Sequence, residues 1–213
     1  MTSFERLFAL MIKPWLIMVS MALIIVTYLY VDKPTAFYLR ELDLRTHLPF
    51  LNLFTKLGLG GIYLIGLFLL ALFFRYYRPN RKCEEQAWFL WLSAVLPSIT
   101  CLIFKVFLGR ARPDLLFGPD HLFGFYWFKL KAPYWSFPSG HTTTVMGFVF
   151  GLSVLFPRYW YAFIFSGLLL TSTRVLLTHH YVSDLLMASY IALLEVGFLT
   201  WWLRREKWLV NAL

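Results

Sequence analysis

Two histidines, one carboxylate and three cations stand at spacings that could do chemistry. His180 and Asp184 are four residues apart. On one helical face the carboxylate can therefore bond one ring nitrogen and leave the other free. That is the base-and-orienter arrangement of nucleophilic or acid–base catalysis. Lys105 and Arg112 are seven apart, two helical turns, so both can point to one side if the helix continues. Pro138-Ser139-Gly140-His141 leads a Ser-Gly pair into an apolar run, and free backbone amides at a helix N-terminus bind anions. Arg174 adds a third cation. Three cations with such amides describe a site for a dianionic, tetrahedral group, a phosphate.

The elements that must position these residues are apolar. Of 213 residues 60% are hydrophobic and only 15% charged, with a mean hydropathy of +0.65. A soluble domain carries about 25% charged residues, and blocks of this length exceed what a soluble core absorbs. An ordinary globular domain, a disordered chain and a nucleic-acid reader are excluded. The net charge of +9 sits between apolar blocks rather than on one amphipathic face, which suits a membrane. Six stretches are expected to span it, at about 14–31, 53–74, 88–108, 139–156, 160–177 and 182–203. Strands are excluded because lipid cannot satisfy their backbone groups outside a barrel, and no alternating pattern is present. The expected fold is all-α: a polytopic membrane protein with six transmembrane helices in one bundle. It forms a single domain over 1–213, with a partly helical interfacial loop between the third and fourth helices. The first block lacks a small-x-small site ahead of Asp32 and reads as a retained span. Cys83 and Cys101 lie in a basic loop and an apolar block, so a disulfide between them is not expected.

Orientation follows from Lys and Arg in short loops. With the N-terminus inside, the inner segments carry Arg6, Lys13, Arg75, Arg78, Arg81, Lys82, Arg158, Arg204, Arg205 and Lys207. Both termini are therefore expected in the cytoplasm. The same topology sends Lys105, Arg112, His141, Arg174, His180 and Asp184 to the opposite face, from three separate segments. Intramembrane ionisable groups are costly and need a reason, and scatter would not favour one side in this way. Other polar residues read more simply. His47, His121 and His179 are interfacial. Arg110 is a better snorkelling anchor than Arg112, and Glu195 faces inward with a hydrogen bond. The aromatic loop 115–137 lies on the membrane and caps the site, while 32–52 shows no chemistry of its own.

Taken together, Lys105-x6-Arg112-Pro113, Pro138-Ser139-Gly140-His141 and Arg174-x5-His180-x3-Asp184 resemble the three-part signature of the type-2 phosphatidic acid phosphatase superfamily. The resemblance covers most of the chain beyond the first two spans. One departure is Thr173, where the family usually has Ser; the hydroxyl is retained, and a tuned phosphate contact is expected. The resemblance implies that His180 attacks phosphorus to form a phosphohistidine and that Asp184 holds its tautomer. It implies that His141 protonates the leaving oxygen and then activates water. Lys105, Arg112 and Arg174, with the amides of Ser139 and Gly140, would neutralise the transition-state oxygens. No metal and no other cofactor is implied, and the expected partners are a lipid phosphate and the bilayer, without nucleic acid or an obligate protein. The implied activity is metal-independent dephosphorylation of a lipid phosphate or diphosphate at the periplasmic face of a bacterial inner membrane. Undecaprenyl diphosphate, phosphatidylglycerophosphate, phosphatidic acid and lipid A phosphates all present a similar target. A lipid phosphotransferase using the same intermediate is the alternative, and a non-enzymatic lipid-binding bundle a more distant one.

Overall fold

The structure is a computed structural model that describes residues 2–206 and 208; Lys207 lies outside the described residues. The chain forms α1 (Ser3–Met11), α2 (Pro14–Val26), α3 (Asp32–Leu42), α4 (Leu44–His47), α5 (Pro49–Phe54) and α6 (Gly60–Leu72). There follow α7 (Arg81–Leu108), α8 (Pro113–Leu116), α9 (Gly140–Leu155), α10 (Trp160–Leu176) and α11 (Val182–Arg205). No strand forms among the described residues; one isolated antiparallel bridge joins Arg110 and Phe125.

Four helices are long and apolar enough to cross a membrane: the continuous helix Pro14–Leu42, then Gly60–Tyr77, Arg81–Leu108 and Val182–Arg205. Of the six expected spans, four meet this measure. The fourth and fifth expected spans became α9 and α10, with 16 and 17 residues. At 1.5 Å per residue each is roughly 25 Å long, short of a hydrocarbon core of about 30 Å. The first span also runs further than expected. A π turn at Thr27–Val31 carries α2 directly into α3, so residues 32–42, expected as loop, are helical. The widened turn displaces the hydrogen-bond ladder just where Pro34 has no N–H to give it.

The core is built around α9, which packs on α7, α10 and α11 and is buried along most of its length. Short as it is, it borders protein rather than lipid. Its closest neighbour is α7, and the reason is local. Pro97 cannot donate to the carbonyl of Ser93, and Gly147 of α9 lies over that carbonyl so closely that a Cβ would collide with the oxygen. Ser98 and Thr144 join the same two helices through their hydroxyls, 2.9 Å apart. α1 closes the opposite end, with Phe4 and Phe8 buried in the core cluster of Val145, Met146, Phe150 and Val196. Outward faces are apolar and open: Met18, Ile65, Leu102 and Phe165 are each at least half exposed, the surface that lipid would cover.

The Ser93–Gly147 contact gives a test of this packing. Gly147→Ala should lower the thermal midpoint in detergent by an amount corresponding to about 1–3 kcal/mol of overpacking. Gly66→Ala, inside α6 with nothing near its Cβ position, should hold the midpoint or raise it, because Ala favours a helix over Gly by about 0.5–1 kcal/mol. Equal midpoints for the two variants would contradict the close approach.

Candidate active site

The C-terminal ends of α7 and α10 and the N-terminal ends of α9 and α11 meet at one end of the bundle. They bring Lys105, His141, Arg174, His180 and Asp184 together, as the spacing predicts. Ser139 N–H donates to Asp184 O at 3.3 Å, linking the start of α9 to that of α11. Lys105 reaches across from α7: its Cε would lie 3.6 Å from a Cβ at Gly140, and its Nζ donates to Trp135 O at 2.7 Å. His141 sits beside Gly58, within electrostatic reach of Arg174, Lys105 and Arg112. Gly109, at φ +57°, caps α7 in the left-handed conformation and turns the chain into Arg110-Ala111-Arg112. A Cβ there would press on Trp127 N at 3.1 Å.

Asp184 is fully buried and saturated with donors. Its Oδ2 accepts from Ser136 Oγ at 2.6 Å and Tyr181 N at 2.9 Å, and lies 3.3 Å from His180 Nδ1. A carboxylate surrounded by donors can only accept, so the His180 proton belongs on Nδ1 and Nε2 carries the lone pair. Burial, reinforced by Lys105 and Arg174 and opposed by Asp184, lowers the His180 pKa to about 3. The ring is therefore neutral near pH 7, as a nucleophile must be. His179 is lowered to about 3 too, by burial and then by Arg174 and Arg45. Burial also lowers Arg112, partly offset by Asp114 and Asp184.

Arg112 and Arg174 carry buried Nε atoms that have no partner among the described residues. Buried donors are normally satisfied, and an oxyanion between these guanidiniums would satisfy both. Arg174 is otherwise held by Thr55 Oγ1 at 3.2 Å. Five cations (Arg45, Lys105, Arg110, Arg112, Arg174) face three carboxylates (Asp32, Asp114, Asp184) around this end. That leaves a surplus of two positive charges, matching a phosphomonoester dianion.

Three expectations need correction. Arg110 is no snorkelling anchor: it is wholly buried, with Nη1 donating to Asp184 Oδ1 at 2.5 Å and to Ser183 Oγ at 2.7 Å, and Nη2 to Asp32 Oδ2 at 2.7 Å. Burial alone would push its pKa down, but Asp184 and Asp32 outweigh burial and raise it. The Ser139 amide is taken by Asp184 O, so the amides left free at this helix start are those of Gly140 and His141; the Ser139 hydroxyl caps α9, accepting from Thr142. Thr173 gives its hydroxyl proton to Leu170 O at 2.6 Å within its own helix, so that proton is not free for a phosphate. Glu195 bonds Thr100 through one oxygen, while its Oε2 has no partner among the described residues.

Two site residues were missed. Asp32 and Arg45 both lie in the segment 32–52 read as lacking chemistry. Arg45 Nη2 reaches Leu177 O at 3.4 Å and the His179 ring at 3.3 Å. The one available signal was Asp32 itself, an acid directly after an apolar span.

The lipid A 1-phosphatase of Rhizobium etli (strain ATCC 51251 / DSM 11541 / JCM 21823 / NBRC 15573 / CFN 42) is 41% identical over 98 residues, 46% of this chain and 42% of that protein. The lipid A 1-phosphatase of Rhizobium johnstonii (strain DSM 114642 / LMG 32736 / 3841) is 40% identical over 98 residues, 46% of this chain and 40% of that protein. The chain thus spans less than half the length of these relatives. No solved structure matches it. The profile of the PAP2 superfamily matches residues 86–208, a stretch that contains all three motif segments, and the chain belongs to that superfamily.

Proposed function

We propose that this protein removes a phosphate group from a membrane lipid through a phosphohistidine on His180. The observation that carries the reading is the buried, neutral His180, with Nδ1 at Asp184 and Lys105 and Arg174 within electrostatic reach of its ring. Nε2 attacks phosphorus, the bond from phosphorus to the lipid oxygen breaks, and His141 gives that oxygen a proton. Water then attacks the phosphohistidine, His141 takes the water's proton, and inorganic phosphate leaves. Asp184 stabilises the imidazolium that the first step creates and the second step returns to a neutral ring. Lys105, Arg112, Arg174 and the amides of Gly140 and His141 compensate charge on the equatorial oxygens. The chain's own residues supply the charge compensation, without a metal.

The names of the two Rhizobium relatives favour a lipid A phosphate over the other lipid phosphates. The distribution of Lys and Arg favours cytoplasmic termini and a site at the outer surface of the inner membrane. The shorter α9 and α10 complete a six-helix bundle as buried or partly buried crossings. A panel of lipid A, undecaprenyl diphosphate, phosphatidylglycerophosphate and phosphatidic acid, scored by released phosphate, tests the substrate; fastest release from a lipid other than lipid A would overturn that choice.

His180→Ala should lower phosphate release by at least ~10³-fold while the protein still folds; near-normal release would remove His180 from the reaction. His141→Ala should cost roughly 10²–10⁴-fold on a lipid phosphate and far less on p-nitrophenyl phosphate, whose leaving group needs no proton. Equal losses on the two substrates would refute the acid role.

The low His180 pKa also fixes a sign. The folded value, about 3, lies below the unfolded value of about 6.5. The stability that depends on a neutral ring is thus fully present above about pH 6.5 and lost as pH falls toward 3. His179 acts in the same direction. The thermal midpoint in detergent should fall between pH 6.5 and 4, and fall less in His180→Asn. Identical slopes for the two proteins would contradict the assignment.

A further inference from the structure

Arg110 and Asp32 do nothing in the reaction as proposed, yet they are among the most deeply buried charges in the molecule. Arg110 is enclosed by rings: Tyr181 and Tyr28 at 4.3 and 4.9 Å from its guanidinium carbon, with Phe123, Phe125 and Phe137 at 5.6 to 5.8 Å. In such surroundings charges act at nearly full strength, and only neighbouring protein groups can balance them. Arg110 lies directly on Asp184, the residue meant to stabilise a positive His180. Paired with Asp184 alone, it would cancel the charge that His180 needs. Asp32 supplies a second carboxylate on the far side of the guanidinium, accepting from Arg110 Nη2, from Ser183 N at 3.0 Å and from the Ser183 hydroxyl. One cation between two carboxylates leaves a net negative charge.

We propose that Asp32, at the π-turn junction of α2 and α3 and outside the matched family region, is a positioning residue that offsets Arg110, so that Asp184 keeps its negative charge for His180. The geometry gives each member one job. Arg110 fixes the orientation of Asp184. Ser183 locks the start of α11 to the continuous helix Pro14–Leu42. Asp32 restores the charge that Arg110 would otherwise remove. The helix Pro14–Leu42 then supports the catalytic residues as well as being long and apolar enough to cross the membrane. This rests on His180 as the nucleophile.

The test uses the full-length protein in detergent, with lipid A and p-nitrophenyl phosphate as substrates. Asp32→Asn keeps the shape and removes the charge; it should lower kcat by about 10–100-fold with KM changed less than ~2-fold. Asp32→Glu should recover most of the rate. In an Arg110→Gln background, which has no cation left to offset, the same Asp32→Asn change should cost less than ~3-fold. A normal kcat in folded Asp32→Asn, or an equal loss in both backgrounds, would overturn the proposal. A loss that follows only the thermal midpoint would do the same, reducing Asp32 to a structural contact. His180→Ala, run in parallel, separates the two readings. If that variant stays active, the nucleophile assignment fails; if it is inactive while Asp32→Asn is normal, only the role of Asp32 fails.

Discussion

The structure depends on keeping Arg110 buried between two carboxylates. An unpaired guanidinium in a fully enclosed, ring-lined pocket would cost several kcal/mol or more. Asp32, Arg110 and Asp184 therefore have to arrive together, although Arg110 is 78 residues from Asp32 and 74 from Asp184 in the chain. That requirement ties the helix Pro14–Leu42, the α7–α8 turn and the start of α11 into one unit. Ser136 and Ser139 add the entry to α9 through Asp184. Every segment that carries a motif residue thus touches the same buried charge cluster or its immediate neighbours. The cluster organises the end of the bundle before any substrate is considered.

Packing further down the bundle sets the depth at which this happens. Pro97 opens the hydrogen-bond ladder of α7, and Gly147 takes the exposed carbonyl of Ser93 as a close contact. That pins α9 along α7, with Gly140 beside Lys105. The polar run Thr142–Thr144 at the start of α9 would be expensive in lipid. It is tolerated because Thr143 and Thr144 donate to Gly140 O and Thr142 to Ser139 Oγ. Sixteen residues suffice for a helix that is surrounded by others, which is why length and hydropathy alone find four spans.

What the sequence revealed and what it hid divide along the range of the interactions. His180 with Asp184 is a close pair whose spacing is itself the signal, and Ser139-Gly140 is legible as a helix start. Lys105 and Arg112 do not share the helix their spacing suggested, because α7 ends at Leu108 and Gly109 turns the chain before Arg112. Arg110 was misread because an arginine just past an apolar span fits snorkelling as well as burial; its partners lie too far along the chain to appear as spacing. Asp32 was overlooked for the same reason. The Ser139 amide was assigned to phosphate because any helix start offers free amides, and only the tertiary contact with Asp184 O removes this one. Thr173 shows the same limit on a smaller scale: its hydroxyl turns to Leu170 O within its own helix, a competition that β-hydroxyl residues always face.

The balance of charge explains why this end of the bundle can carry so many cations without unfolding. Lys105, Arg112 and Arg174 lie near one another with only Asp114 beside Arg112 to offset them, so by themselves they would repel. The net negative charge left by Asp32, Arg110 and Asp184 stands behind them and lowers that repulsion, but it cannot cancel it. The remaining two positive charges are what a dianion removes on binding. His180 lies between the two groups, with carboxylate at Nδ1 and cations within reach of the rest of its ring. Attack by Nε2 moves positive charge into the ring, toward the carboxylates, and negative charge onto the phosphoryl oxygens, toward the cations. Under the proposed mechanism each charge that develops thus moves toward its opposite. A fixed environment of this kind lowers a barrier without having to rearrange during the reaction.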